Sequence, residues 1–167
     1  MTGSARPVLE IAAGSLASAL VAQEAGADRV ELCDALETGG LTPSYGALAC
    51  ARDRLRIPLF VLIRPRAGDF LYSTQDADVM LRDIEVCVRL GCDGVVVGAL
   101  DSEGALDESL CRQLVAAAGT LPATFHRAFD ATRDPPAALE QVIALGFTRL
   151  LTSGGRATAM EGGEDIA

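Results

Sequence analysis

Three segments of this chain repeat one joint. Residues 24–32 (EAGADRVEL), 89–97 (RLGCDGVVV) and 144–152 (ALGFTRLLT) each close a helical pattern at a Gly and turn, two or three residues later, into a strand-like apolar run. A joint that recurs in this way marks a βα-repeat protein, whose units pack in parallel with right-handed crossovers. The same grammar predicts six strands alternating with five helices. The strands are expected at residues 8–12 (VLEIA) and 29–33 (RVELC), from Pro58 through PLFVLIRPR, within GCDGVVVGAL, within residues 122–130 (PATFHRAFD) and within FTRLLTSGG. The longest helix is expected at Thr74–Leu90, where Val79, Ile84, Val86 and Leu90 form one apolar stripe. An eight-unit barrel needs about 250 residues. A chain of 167 residues is therefore expected to be a single, incomplete α/β domain of the TIM (β/α)8 type over residues 1–167, ending after the sixth strand. Its outer strands would leave unpaired edges, which predicts an open barrel that is marginally stable or self-associates into a homo-oligomer. The tail at residues 156–167 is expected to be poorly ordered.

Composition narrows the function classes. Half of the residues are hydrophobic but only 4% are aromatic and none is Trp, so the core must be built from Ala, Val, Leu and Ile. The net charge of -9 argues against nucleic acid and against an anionic membrane surface, because the field repels phosphate. Every basic residue other than the lone His is Arg, so no Schiff-base lysine is available within the chain. Five cysteines without a CxxC suit a reduced, cytoplasmic protein and not a disulfide scaffold. No apolar run reaches membrane-spanning length, and MTGSARP lacks the apolar segment of a signal peptide.

Alternation along the strands then places the chemistry. Val30 and Leu32 share one face of the second strand, with Arg29, Glu31 and Cys33 on the other; Glu10 has the same placement in the first strand. The third strand is apolar until Arg64, as expected for a strand covered on both faces. His126, the only histidine, falls in PATFHRAFD, a short apolar run that reads as a buried strand passing into a polar loop. Parallel α/β folds carry their chemistry where strands end in this way. Glu10, Glu31, Arg64 and His126 are accordingly expected near the carboxyl ends of separate strands, with Arg66, Asp69, Arg127, Thr152 and Ser153 in or beside the loops that follow. Two carboxylates at one barrel mouth raise the pKa of one of them, whereas an adjacent Arg lowers both. The set admits two readings, a structural ion network joining Glu10, Glu31 and Arg64, or an acid/base site for a small polar or phosphorylated metabolite. In the second, Glu10 or Glu31 is the base, His126 the acid and Arg64 an anion clamp, as in an isomerase- or lyase-like TIM-barrel enzyme. The Gly pair in ETGGLTPS is a candidate anion cradle at a helix start.

Taken together, Glu10, DRVELCDALETGGLTPS, RPRAGDFLYS, TFHRAFD and LTSGG resemble the CutC copper-homeostasis family, from VLEIA to LTSGG. The resemblance implies a TIM-type barrel and a cytoplasmic protein that binds Cu(I), through cysteines at the ends of the first two strands. Cys33 matches the second of these. At the first, this chain has Ala12. Cu(I) favours soft thiolate donors at low coordination number, so one cysteine makes a poorer site than two. Read singly, Cys50, Cys87 and Cys111 fall in helical patterns and Cys92 at the far end of a strand, so none is placed to stand in for the absent thiol.

Overall fold

The computed structural model describes residues 6–167. Side-chain caps begin five of its helices: Ser15 before α1 (Leu16–Glu24), Ser44 before α2 (Tyr45–Arg54), Ser73 before α3 (Thr74–Leu90), Asp107 before α4 (Glu108–Ala118) and Asp134 before α5 (Pro135–Ala144). At α3 the cap is reciprocal: Ser73 accepts from the Asp76 amide and the Asp76 carboxylate accepts from the Ser73 amide, which fixes the start of the helix. In α5 the first turn holds Pro135 and Pro136, where a missing N–H costs nothing.

The strands are short: β1 (Glu10–Ala13), β2 (Arg29–Leu32), β3 (Leu59–Leu62), β4 (Gly94–Val97), β5 (Ala123–Phe125) and β6 (Arg149–Leu150). They form one parallel sheet in sequential order, with Ala12 beside Glu31, Glu31 beside Phe60, Phe60 beside Gly94, Val96 beside Thr124 and Thr124 beside Arg149. Each strand is followed by a helix, so the architecture is an α/β half-barrel of the TIM type that stops after its sixth strand. The curl is visible in the side chains. The Arg29 guanidinium from β2 and that of Arg149 from β6 both lie over the Phe60 ring of β3, at 4.8 and 4.5 Å from its centre. β2 is the neighbour of β3, but a flat sheet could not bring the sixth strand to the third.

Two hydrophobic layers follow from this curvature. Val30, Leu32, Leu59, Val61, Ile63, Val95, Val97 and Phe125 pack outward against Ala19, Leu48, Met80, Ile84 and Leu114 of the helices. Cys33, Phe60, Leu62 and Val96 form a smaller cluster on the concave side. At the sheet edge Val8, Leu9 and Ile11 are exposed, as is Leu151 beyond β6.

Two sequence expectations shift. Pairing of the first strand begins at Glu10 and not at Val8, because the Asp28 and Arg29 amides turn onto the Leu9 carbonyl at the point where the strands meet. PATFHRAFD is strand only to Phe125; residues Arg127–Ala131 form a 3-10 turn, with the His126 side chain accepting from the Ala128 amide as its cap. Residues 156–167 carry a short helix, α6 (Gly163–Ile166), and an ion pair between Arg156 and Asp165.

Candidate functional site

The concave face carries its polar groups at two levels. At the lower level, where the strands begin, Glu10 is ion-paired with Arg29, and Arg29 and Arg149 flank Phe60. Glu31 points to the same side from the middle of β2 and is only 7% exposed. Burial, then the charge of Glu10, push its carboxyl up to about 7 against the opposing pull of Arg29. Glu31 is therefore a group that can hold or release a proton near neutral pH. Arg149 carries one buried guanidinium nitrogen without a hydrogen-bond partner.

The upper level lies at the carboxyl ends of β2, β3 and β5. Arg64, two residues beyond β3, donates to the carbonyls of Thr38, Gly40 and Gly68. It ties the loops after β2 and β3 together over the mouth. Phe70, from the loop after β3, lies beneath the Arg64 guanidinium at 5.1 Å and against the His126 ring at 5.0 Å. His126 follows β5 directly and is buried. Burial first, and the Arg64 charge second, push its pKa down to about 3, so the ring is neutral over the physiological range. Since Nδ1 accepts from the Ala128 amide, the proton of the neutral ring sits on Nε2, and that buried atom has no partner. Gly98 makes room for the ring: a Cβ there would meet Nδ1 at 2.6 Å.

Beside the mouth, Asp130 organises the loop after β6. Its carboxylate accepts from the Thr152 hydroxyl, the Ser153 hydroxyl and the amides of Ser153 and Gly155, and pairs with Arg127. Burial opposes ionisation here, but the hydrogen bonds from Thr152, Arg127, Ser153 and Gly155 outweigh it and hold the pKa at about 2. Arg127 also reaches the Ser153 hydroxyl and the Arg156 carbonyl.

Several sequence expectations are rearranged by this geometry. Glu10 sits at the amino end of its strand, away from the mouth, and its ionic partner is Arg29. Arg64 does not join Glu10 and Glu31 in one network: its two terminal nitrogens donate to loop carbonyls. The carbonyl of Gly40 is turned toward Arg64, so the Gly pair presents an acceptor there, not an anion cradle. Arg66 spends its donors on Asp69 and the carbonyls of Ala67, Asp69 and Leu71 in its own loop and on Asp76 in the first turn of α3. His126, held neutral, accepts at Nδ1 and leaves its Nε2–H unpaired. Arg127, Thr152 and Ser153 do come together, around Asp130. Sequence reasoning passed over Asp130, Phe60, Phe70, Arg149 and the role of Arg29; only Arg29 carried a signal, since alternation set it on the face of Glu31.

Cys33 is buried in the concave apolar cluster, with its thiol toward the Ala13 carbonyl at 3.5 Å. Burial, then the charges of Glu31 and Asp34, push that thiol up to about 11. Ala12 pairs with Glu31, one inward position below Cys33. Among the described residues no cluster of three or more His, Cys, Asp or Glu side chains could hold a metal ion. The residues around Cys33 therefore do not fit Cu(I): one protonated thiol, walled by Leu62 and Phe60, lacks a second soft donor.

A curled parallel βα sheet with its ionisable groups on the concave side and at the carboxyl ends of its strands defines a protein of the TIM-barrel class. Within that class this chain belongs to the CutC family, whose model matches residues 8–167. A CutC family protein of Xylella fastidiosa (strain Temecula1) is 65% identical over 159 residues, covering 95% of this chain and 60% of the relative. One from Xanthomonas campestris pv. campestris (strain B100) is 61% identical, covering 95% and 66%. The crystal structure of a CutC protein from Streptococcus agalactiae superposes with a TM-score of 0.89 at 37% identity, covering 96% of this chain and 80% of that one. A phosphoenolpyruvate phosphomutase from Streptomyces platensis, with a TM-score of 0.63 at 15% identity, shares the fold alone. The chain thus spans about three-fifths to two-thirds of the length of these curated relatives. No helix among the described residues is long and apolar enough to cross a membrane.

Proposed function

We propose that this chain is a cytoplasmic copper-homeostasis protein of the CutC type that binds Cu(I). Family membership across residues 8–167 carries this reading, and the Streptococcus agalactiae relative is described, provisionally, as a copper homeostasis protein. Five cysteines kept free of disulfides supply thiols of the kind Cu(I) favours. The test is a titration of the reduced protein with Cu(I) against a competing chelator. Retention of about one equivalent supports the reading; complete loss of the ion to the chelator overturns it.

A second reading rests on the unpartnered Nε2–H of His126 at the barrel mouth. A buried donor without an acceptor costs on the order of 1 to 3 kcal/mol, and a ligand oxygen would remove that cost. In this reading the mouth binds a small polar or anionic metabolite: the neutral imidazole polarises a carbonyl or oxyanion, Arg64 and Phe70 frame the ligand, and Glu31 exchanges the proton. Asp69, Arg127, Thr152 and Ser153 shape the loops around it. The probes are inorganic phosphate and acetate, followed on the Nε2–H resonance of His126 by heteronuclear NMR. A saturable shift that is absent for a neutral polyol supports the site. A resonance that moves with neither anion removes the reason for placing a ligand there.

A further inference from the structure

We infer that Cys87 and Cys92 together form a two-coordinate thiolate site for a soft monovalent cation, at the end of the barrel opposite the Cys33 mouth; the inference rests on the copper reading and gives it a location. The geometry begins with how α3 ends. Gly91 takes the left-handed conformation at φ 69°, the Cys92 amide donates to the Cys87 carbonyl at 3.0 Å, and the Gly91 amide donates to that of Val88 at 3.1 Å. This double bond pattern is the glycine-terminated helix end in which the side chain three residues before the helix boundary packs against the one just beyond the Gly. In most helices that contact joins two aliphatic groups. Here both positions are cysteine, so the same bond pattern sets one buried thiol beside the other.

Both cysteines are buried, at 1% and 3% exposure, yet Cys92 lies between Gly91 and Asp93, which are exposed. The pair is shielded as a low-coordinate thiolate centre requires, with solvent one residue away. Arg52 from α2 reaches this corner, donating to the Asp93 carboxylate at 2.6 Å and the Gly91 carbonyl at 3.4 Å. A monovalent cation entering the pair displaces two thiol protons and leaves a bis-thiolate of net charge -1, with the Arg52 guanidinium, shared with Asp93, as the neighbouring cation. Two sulfurs and no nearby imidazole suit Cu(I) or Ag(I), and offer too few donors for Zn(II), which takes four. The other cysteines have no such partner: Cys33 and Cys111 each direct their thiol to a backbone carbonyl, and Cys50 is exposed on α2.

The experiment is a Cu(I) titration under anaerobic, reducing conditions against a competing chelator. It is run on Cys50→Ser, so that the exposed thiol makes no contribution, and on that background carrying Cys33→Ser, Cys87→Ser or Cys92→Ser. A thiolate-to-Cu(I) absorption band in the near ultraviolet gives a second readout. Expected is one chelator-resistant equivalent in the background and in Cys33→Ser, lost together with the band in Cys87→Ser and in Cys92→Ser. Circular dichroism of each variant confirms the fold, and Cys111→Ser controls for the loss of a buried thiol elsewhere. Binding that survives both Cys87→Ser and Cys92→Ser but disappears in Cys33→Ser overturns this placement while leaving the copper reading intact. Absence of chelator-resistant Cu(I) from the background protein overturns both.

Discussion

Glu31 and His126 pull the stability of the fold in opposite directions as pH changes, and Glu31→Gln separates them. The Glu31 carboxyl, ordinarily at 4.5, is held near 7 by burial and then by Glu10. The folded state thus binds this proton more tightly than the unfolded chain does. The resulting stabilisation is complete below pH 4.5 and is lost as pH rises through 7, a change of about 3 kcal/mol. His126 has the opposite sign. Its pKa falls from 6.5 to about 3, by burial and then by the charge of Arg64, so its contribution is present above pH 6.5 and lost as pH drops through 3, a change of about 5 kcal/mol. Between pH 4.5 and 6.5 each group contributes about 1.4 kcal/mol per pH unit, with opposite signs. The wild-type profile is therefore expected to be flat across that window. Glu31→Gln removes the falling contribution and should reveal a rise of about 3 kcal/mol from pH 4.5 to 6.5. Urea unfolding at steps through the window, at constant ionic strength and at concentrations where sedimentation shows one species, measures it. If the Gln variant and the wild type run parallel, the Glu31 carboxyl does not titrate in the fold as its burial beside Glu10 implies.

Gly98→Ala should destabilise the fold by about 2 kcal/mol, because the added methyl meets the buried imidazole. The same change in a His126→Ala background should cost far less, and equal costs in the two backgrounds would show that the ring is not the obstacle. Asp130→Asn weakens the acceptor that gathers Thr152, Ser153 and Gly155, so the amides of Ser153 and Gly155 should exchange with solvent faster and unfolding should become easier by about 2 kcal/mol. Unchanged protection at those two amides would mean that the loop holds its shape without the carboxylate.

What the sequence determined alone was the part of this protein governed by short-range rules. The Gly-terminated joints announced the βα units. Reciprocal capping at Ser73 and Asp76 and the left-handed Gly91 bound α3 at Thr74–Leu90, where the apolar stripe had set it. Alternation in β2 separated Val30 and Leu32 from Glu31 and Cys33, since side chains on a strand must point to opposite faces, and the structure turns the first pair to the helices and the second to the concave side. The juxtaposition of Cys87 and Cys92 was also local. It stayed hidden because Cys87 lies in α3 and Cys92 beyond it, and only the bond pattern at Gly91 brings the second residue back beside the first. Tertiary structure decided the partners. Whether Glu10 meets Arg29 or Arg64 depends on strand register and on how far a long side chain reaches, and neither is written in the period of the sequence. Arg64 turned to the carbonyls of two loops because those loops closed over it and left acceptors that no backbone amide satisfied. Arg149 met Phe60 because the sheet curls, and the neutrality of His126 follows from burial beneath that curl beside the Arg64 charge. Composition and spacing supplied these groups; the curvature of the sheet set which of them share a dielectric and which charges they feel.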